Sequence, residues 1–182
     1  MKFFAKGKRG EVFLREAHGK TFLVKKHNPD SVVDTIANEA KFNKLLNAHG
    51  IGPEFIAYEQ GELVREFIDG LEFRNWLPSA KRPEVIAVLA DVLRQCRTMD
   101  LLGVEKEEMT RPWKHIIVRK DVPVLIDFER CREVKVPKNV TQFVQFLTSS
   151  ALRLQLHEKG IHYDKSELIN LAKKYKSLLK KN

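Results

Sequence analysis

Apolar and polar positions alternate with a short, strand-like period in the first part of the chain. Two β-branched or aromatic runs, Glu11–Leu14 and Thr21–Lys26, flank a turn at Gly19 and predict a β-hairpin. Two further strands are predicted to turn at Gly61, and the Asp69-Gly70 dipeptide ends them. This part of the chain is therefore expected to form a β-rich unit.

Four other segments have the apolar spacing of amphipathic helices. One of them lies inside the strand-rich part and is predicted to begin at the capping pair Ser31 and Asp34. The other three are Arg82–Leu102, Asn139–His157 and Asp164–Lys181. A small β unit, Ile116–Val118 and Val124–Ile126, is predicted between the helices. The remainder of the chain is thus expected to be mainly helical.

Composition limits the kinds of protein that this chain can be. Its 182 residues, 43% of them hydrophobic, can bury one core or a core split between two small lobes. No apolar run is long enough to span a bilayer, and the first residues lack the apolar stretch of a secretory signal, so we expect a cytoplasmic protein without membrane contact. Cys96 and Cys131 are too few for a disulfide framework, and we interpret them as ordinary core thiols.

The net charge of the chain bears on its binding partners. The net charge of +9 favours an anionic partner such as nucleic acid or a nucleotide phosphate. Because 31% of the residues are charged, a solvated surface is the simpler alternative, and the charge alone does not decide between them.

Four short segments follow one another in the same order as the sequence motifs of a kinase. They are KGKRGEVF, FLVKK, LVREFIDG and IDFER. Together with the order of strands and helices they resemble the protein-kinase-like fold in a reduced, RIO-like form. The resemblance implies an α+β, two-lobed fold with a β-rich N-lobe containing one helix and a helical C-lobe. It further implies a single kinase-like domain, with residues 1–70 as the N-lobe and residues 71–182 as the C-lobe.

The resemblance implies a nucleotide site in the N-lobe. Gly7 and Gly10 would let the backbone approach the phosphates of ATP, and Val12 would cover the adenine. The backbone from Glu66 to Ile68 would hydrogen-bond the adenine edge. Two glycines in a basic stretch also fit a plain turn.

The resemblance also implies residues that hold the phosphates and the metal. Lys25 would contact the α- and β-phosphates, and Glu39 would pair with Lys25. Asp127 would bind Mg²⁺, and His115 stands where an asparagine usually helps to hold a metal. Imidazole is a poorer ligand for Mg²⁺ than oxygen, so a purely structural His115 is the alternative. Glu129 replaces the flexible glycine after Asp-Phe, which predicts a fixed loop at this point.

The residue that orients the attacking hydroxyl is less obvious in the sequence. Thr110 stands where a kinase would have its catalytic aspartate, and a threonine does not accept a proton at neutral pH. Glu108 lies slightly further back, in a loop lengthened by Pro112 and Trp113, and we expect it to take this role. Glu107 is the neighbouring alternative.

The segment from Glu108 through Pro112 to His115-Ile-Ile-Val, followed by Ile126-Asp-Phe-Glu-Arg, is similar to an archaeal branch of RIO-like or Bud32-like atypical kinases. That branch contains the archaeal RNA kinase that phosphorylates an internal ribose 2′-hydroxyl of tRNA. The similarity implies an ATP- and Mg²⁺-dependent RNA kinase, expected to act as a monomer on tRNA or other structured RNA. An atypical serine/threonine protein kinase and a non-catalytic nucleotide- or RNA-binding module are the alternatives.

Two features favour RNA as the substrate. The chain runs from the metal motif almost directly into a helix, which leaves little room for a peptide-docking segment. Basic residues also surround the predicted site, as a polyanionic substrate would require. The candidates for RNA binding are Arg111, Lys114, Arg119, Lys120 and Arg130.

Overall fold

The structure is a computed structural model that describes residues 1–181, and the chain divides into two compact units. The first unit contains Met1–Asp69 together with Val124–Cys131. The second contains Gly70–Pro123 and the described residues that follow Cys131. The segment Val124–Cys131, which lies in the range expected for the C-lobe, therefore clusters with the β-rich part of the chain.

A five-stranded antiparallel sheet, with strands in the order β1-β2-β3-β5-β4, dominates the first unit. The strands are β1 (Lys2–Lys6), β2 (Gly10–Ala17), β3 (Lys20–His27), β4 (Phe55–Glu59) and β5 (Glu62–Glu66). One helix, α1 (Ile36–Asn47), packs on the sheet. Ile36 and Ala40 of α1 form a buried cluster with Leu63 of β5, and Phe55 of β4 lies against that cluster.

The predicted start of α1 at Ser31 and Asp34 is wrong. The Ser31 hydroxyl donates to the carbonyl oxygen of Val33 at 3.1 Å, and Asp34 Oδ1 accepts the backbone N–H of Ile36 at 2.8 Å. Such local bonds between side chain and backbone offer the chain an alternative to the helix. The helix consequently begins at Ile36, after these turns are complete.

Helices make up most of the second unit. Its elements are β6 (Leu71–Glu72), α2 (Phe73–Trp76), α3 (Arg82–Leu101), β7 (Val104–Glu105), a 3-10 helix (Glu107–Thr110), β8 (Ile116–Arg119), β10 (Arg132–Glu133), α4 (Asn139–Leu147), α5 (Ser150–Glu158) and α6 (Lys165–Leu179). Strand β6 pairs antiparallel with β8, and β7 pairs antiparallel with β10. Strand β9 (Val122–Leu125) carries the chain from this unit into the first.

The prediction of a single helix over Asn139–His157 is wrong, because two helices, α4 and α5, occupy this range. The Thr148 hydroxyl donates back to the carbonyl oxygen of Val144 at 2.9 Å. The next residue, Ser149, has an extended backbone with φ −66° and ψ 147° and stands at the N-cap of α5. A hydroxyl-rich stretch thus ends one helix and starts another.

The other helix predictions hold. Helix α3 covers the predicted segment from Arg82 to within one residue of its predicted end. Asp164 caps α6, and its Oδ1 accepts the backbone N–H of Glu167 at 2.8 Å. None of the helices within residues 1–181 is both long and apolar enough to cross a membrane.

A buried polar network fixes the segment that precedes the 3-10 helix. Asp100 of α3 accepts the backbone N–H of Asn139 at 2.9 Å and its side-chain amide at 2.8 Å, and it also accepts the hydroxyl of Tyr175 at 3.1 Å. Asn139 in turn accepts the backbone N–H of Lys106 at 2.8 Å. Burial raises the pKa of Asp100, although these hydrogen bonds oppose the shift. Helices α3, α4 and α6 therefore hold the chain just before Glu107 and Glu108.

Candidate active site

Lys25 and Glu39 are brought together in the first unit by β3 and α1. The Lys25 ammonium lies 2.5 Å from Glu39 Oε2, and the Glu39 side chain is only 1% exposed. Asp127 Oδ1 and Glu129 Oε2 lie 3.7 and 3.5 Å from the same ammonium. Burial lowers the pKa of Lys25, but the three carboxylates outweigh burial and the pKa is raised above its ordinary value. Lys25 therefore remains a cation, and the predicted pairing with Glu39 is present.

Asp127 follows β9 and adopts a left-handed backbone with φ 65°. Apart from glycine, residues with short polar side chains such as Asp and Asn are the ones that adopt this conformation most readily. Glu39, Asp127 and Glu129 each offer a carboxylate oxygen, and these oxygens lie within 4.8 Å of one another. Hard oxygen ligands of this kind suit Mg²⁺, so the donor set fits the predicted metal.

The loop that carries Glu129 is tied to its neighbours. The Glu129 carboxylate lies 3.3 Å from Arg9 Nη1 and accepts the Thr35 hydroxyl at 3.3 Å. Its backbone carbonyl accepts the side-chain amide of Asn38 at 2.9 Å, and Asn38 also donates to the carbonyl of Cys131 at 3.0 Å. These contacts tie the loop to α1 and to the residues around it, and the absence of switching remains a prediction.

Arg65 is a charged residue of the site that sequence reasoning missed. It lies in β5 and is only 7% exposed, and its Nε has no hydrogen-bond partner among residues 1–181. Burial lowers the pKa of Arg65, while the carboxylates of Glu39 and Asp127 oppose that shift. The sequence did contain one indication of it, because Arg65 directly follows the apolar residues Leu63 and Val64 of a predicted strand.

The predicted glycine loop joins β1 to β2. The backbone N–H of Gly7 donates to the carbonyl of Gly10 at 2.8 Å, and the side-chain amide of Asn28 donates to the carbonyl of Gly7 at 3.1 Å. A Cβ atom at Gly10 would stand 2.8 Å from Cε of Lys25, so glycine leaves the room that Lys25 occupies. Val12 of β2 lies opposite Lys25 in the strand register.

The segment predicted to contact adenine leaves the sheet at the end of β5. The backbone N–H of Glu66 donates to the carbonyl of Glu54 at 2.9 Å, and that of Phe67 donates to Thr21 at 3.3 Å. Ile68 is buried. Because the N–H groups of Glu66 and Phe67 are used within the protein, an adenine edge would have to meet other backbone groups of this segment. The contact remains a prediction.

In the second unit the two candidate carboxylates have different surroundings. Glu108 Oε2 lies 2.9 Å from His115 Nδ1 and 3.7 Å from the ammonium of Lys106. Glu107 is more exposed and lies 3.1 Å from Nη1 of Arg132. Successive residues of a 3-10 helix point in directions about 120° apart, because the helix has about 3 residues per turn. This geometry separates the two neighbours.

His115 and Lys106 complete the surroundings of Glu108. His115 Nδ1 lies 2.9 Å from the Glu108 carboxylate, and the role of His115 as a magnesium ligand remains a prediction. Lys106 is only 1% exposed and was missed in the sequence, where it stands in a charged stretch that suggests a solvated face. The Lys106 ammonium thus forms an ion pair with the Glu108 carboxylate.

The predicted RNA-binding residues are distributed over both units. Arg130 belongs to the first unit, and the other four belong to the second. Arg111, Lys114 and Lys120 are exposed and Arg119 is half-buried. A cavity of about 420 Å³ in the second unit is lined by Arg74, Arg111, Trp113, Lys114, His115 and Gln155. Arg74 and Gln155 come from α2 and α5, and the sequence motifs gave no indication of them.

The whole fold is similar to that of a solved kinase. The crystal structure of the Rio2 kinase-ADP/Mg²⁺-phosphoaspartate complex from Chaetomium thermophilum superimposes with a TM-score of 0.62 at 15% sequence identity. The match covers 97% of this chain and 71% of that chain. It confirms the predicted α+β, kinase-like fold.

Sequence comparison gives a relative and a family. An uncharacterized protein of Methanocaldococcus jannaschii, MJ1211, is 29% identical over 116 residues, which cover 62% of this chain and 99% of the relative. Residues 1–115 match the model of the APH phosphotransferase enzyme family. That match includes Lys25, Glu39 and Glu108 and spans more than half of the chain, so the protein belongs to this phosphotransferase enzyme family.

Proposed function

We propose that the protein is an ATP- and Mg²⁺-dependent RNA kinase that phosphorylates an internal ribose 2′-hydroxyl of tRNA. One observation carries the choice of substrate. The short segment that contains the Glu108–His115 pair also presents the exposed cations Arg111 and Lys114. The molecule whose hydroxyl group Glu108 orients would therefore lie beside these cations, which favours a polyanionic substrate. RNA is such a molecule.

The first unit is assigned the nucleotide. Lys25, held by Glu39, supplies a fixed positive charge to the α- and β-phosphates of ATP. Asp127 would hold Mg²⁺, with Glu129 and Glu39 as the neighbouring oxygen donors. The metal, when bound, offsets phosphate charge that would otherwise oppose the transfer. Gly7 and Gly10 would let the backbone of this loop approach the phosphates.

The second unit is assigned the acceptor. Glu108 accepts the proton of the ribose hydroxyl while the ribose oxygen forms a bond to the γ-phosphorus. The bond between the γ-phosphorus and the β-γ bridging oxygen breaks at the same time, and ADP is released. His115 contacts Glu108 and keeps its carboxylate oriented. The ammonium of Lys106 lies 3.7 Å from the same carboxylate.

The second candidate is an atypical protein serine/threonine kinase, which the likeness to the Rio2 fold supports. A peptide-reading kinase needs a docking segment after the metal motif. Between Cys131 and the start of α4 at Asn139, the only regular element in the described chain is the two-residue strand β10. This short connection favours RNA over a peptide.

The deciding experiment compares acceptors. Purified protein and γ-labelled ATP are incubated with a tRNA transcript, with DNA of the same sequence, and with myelin basic protein. We expect label in the tRNA alone, in a product that resists alkaline cleavage at the modified nucleotide, because a 2′-phosphate blocks the attacking hydroxyl. DNA lacks that hydroxyl. Label in the protein at a comparable rate, or in DNA as readily as in RNA, would overturn the proposal.

A further inference from the structure

We infer that the cavity beside His115 is the site of the acceptor nucleotide, with its base stacked on Trp113 and its flanking phosphates bound by Arg74, Arg111 and Lys114. This inference rests on the proposed RNA kinase function and adds the part of the substrate that is recognised. The cavity volume of about 420 Å³ lies in the range of small-molecule sites, roughly 300–1,000 Å³.

The lining of the cavity combines two kinds of group that a nucleotide needs. Three of its residues are cations that suit phosphates, and one is a tryptophan whose ring suits a base. Base-aromatic stacking tolerates any base, because every base has a π face. A polycationic acceptor would be repelled by the same lining, and a plain sugar would leave the charges unused.

The Trp113 ring is held at a fixed position. It makes an edge contact with Phe146 at 4.8 Å between ring centroids and 87° between planes, and it lies 5.8 Å from Phe73. Phe73 and Phe146 are almost completely buried, whereas Trp113 is only partly so. Two buried rings thus support an aromatic surface that stays partly open, as a stacking platform requires.

The cations at the cavity retain capacity for a ligand. Arg111 and Lys114 are both exposed, so their charged groups are open to a ligand. Arg74 bonds Glu72 through Nε at 2.6 Å, which leaves the terminal nitrogens of its guanidinium group for a phosphate. Gln155 donates its amide N–H to Ala151 at 3.3 Å, so its Oε1 can accept a hydrogen bond from a base edge.

The cavity is joined to the predicted chemistry through His115. This residue lines the cavity, and its Nδ1 lies 2.9 Å from Glu108. A ribose whose hydroxyl meets Glu108 would therefore bring its base and its neighbouring phosphates to the cavity. Inside a duplex a base is stacked and paired, so only an unpaired nucleotide can enter. The acceptor is accordingly an unpaired nucleotide of the RNA.

Two variants with different chemistry test the stacking role. Trp113→Leu removes the aromatic face and Trp113→Phe retains it, and thermal melting shows whether both variants fold. We expect the KM for tRNA to rise roughly tenfold in Trp113→Leu and to change little in Trp113→Phe, with the KM for ATP unchanged in both. A purely structural tryptophan would instead lower stability or kcat and leave the KM for tRNA alone.

Charge removal provides the matched control. The double variant Arg74→Gln/Lys114→Gln loses the same charge as Lys173→Gln/Lys176→Gln on α6 of the same unit. We expect the first pair to raise the KM for tRNA at least several-fold more than the second. Equal effects would mean that the cavity contributes only diffuse charge, and would overturn the inference.

A binding measurement separates this inference from the proposed activity. In a Trp76→Phe background, Trp113 is the remaining tryptophan, and its fluorescence should be quenched by a single-stranded oligoribonucleotide more than by a fully paired RNA. No difference between the two RNAs overturns the site even if tRNA is phosphorylated. Selective quenching without any transfer to RNA would leave the nucleotide site standing and the proposed kinase function refuted.

Discussion

The ammonium group of Lys25 on β3 lies 2.5 Å from the carboxylate of Glu39 on α1, and the two side chains are 12% and 1% exposed. A burial so deep makes each charge dependent on the other. Glu39→Gln should lower the free energy of unfolding by about 1–3 kcal/mol, measured by urea denaturation, since it weakens a hydrogen bond to a charged group. The half-exposed pair of Lys26 and Glu62 is the control, where Glu62→Gln should cost less than about 1 kcal/mol. Equal losses of unfolding free energy in the two variants would show that burial does not strengthen the Lys25–Glu39 pair.

The raised pKa of Lys25 sets the pH range of this stabilisation. Because the folded-state pKa exceeds the unfolded value of 10.5, the stabilisation is fully present below pH 10.5 and is lost only as the pH rises through the folded-state pKa. The difference in unfolding free energy between the wild type and Lys25→Met should therefore be constant from neutral pH to about pH 9. Chemical denaturation at several pH values measures it. A difference that shrinks within this range would show that Lys25 titrates low.

Asp127→Asn should abolish phosphate transfer and leave the fold intact. Asparagine keeps the size of the side chain and tolerates the left-handed backbone found at this residue, but it removes the charge that would hold the metal. Transfer assays and circular-dichroism melting measure the two effects. Full activity in the variant would place the metal elsewhere.

Glu108→Gln should slow single-turnover transfer by roughly 100-fold or more, the usual contribution of a positioned general base. Glu107→Gln, which changes the adjacent residue that contacts Arg132, should have a much smaller effect. Rapid-quench measurements at saturating tRNA and ATP distinguish the two. A large loss confined to the Glu107 variant would reverse the assignment.

RNA binding should weaken steeply with added salt, because phosphate contacts release counterions, while ATP binding should respond far less. Replacing Arg119 and Lys120 with glutamine, together with Arg111 and Lys114, should reduce the slope of this salt dependence. Filter binding between 50 and 200 mM salt measures this slope. Over that range the affinity of a protein that contacts several phosphates falls by orders of magnitude. An unchanged slope would show that these cations do not meet the RNA backbone.

Local patterns were sufficient for much of the architecture. The hairpin of β2 and β3 and the long helix α3 were predicted from alternation and periodicity, since each buries one face along a continuous run of residues. The order of glycine loop, Lys25, Glu39 and Asp127 was implied by the resemblance to kinases, because short segments that resemble kinase motifs contain or flank these residues. The start of α1 and the break between α4 and α5 were not predicted. At both places side-chain hydroxyl or carboxylate groups compete with the helix for backbone hydrogen bonds.

The surroundings of the reactive groups depend on contacts between distant segments. In the sequence, Arg65 is simply one charged residue within a predicted strand. The packing of α1 on β5 buries Arg65 near Glu39. Likewise, Arg74 and Gln155 lie far apart in the chain, yet α2 and α5 place them around one cavity with Trp113. Periodicity indicates which face of an element is buried, but it does not indicate which other element covers that face. The chain's own pattern therefore specified its elements and the residue types of its site, and the packing of those elements specified the partners, burial and cavity that give them their chemistry.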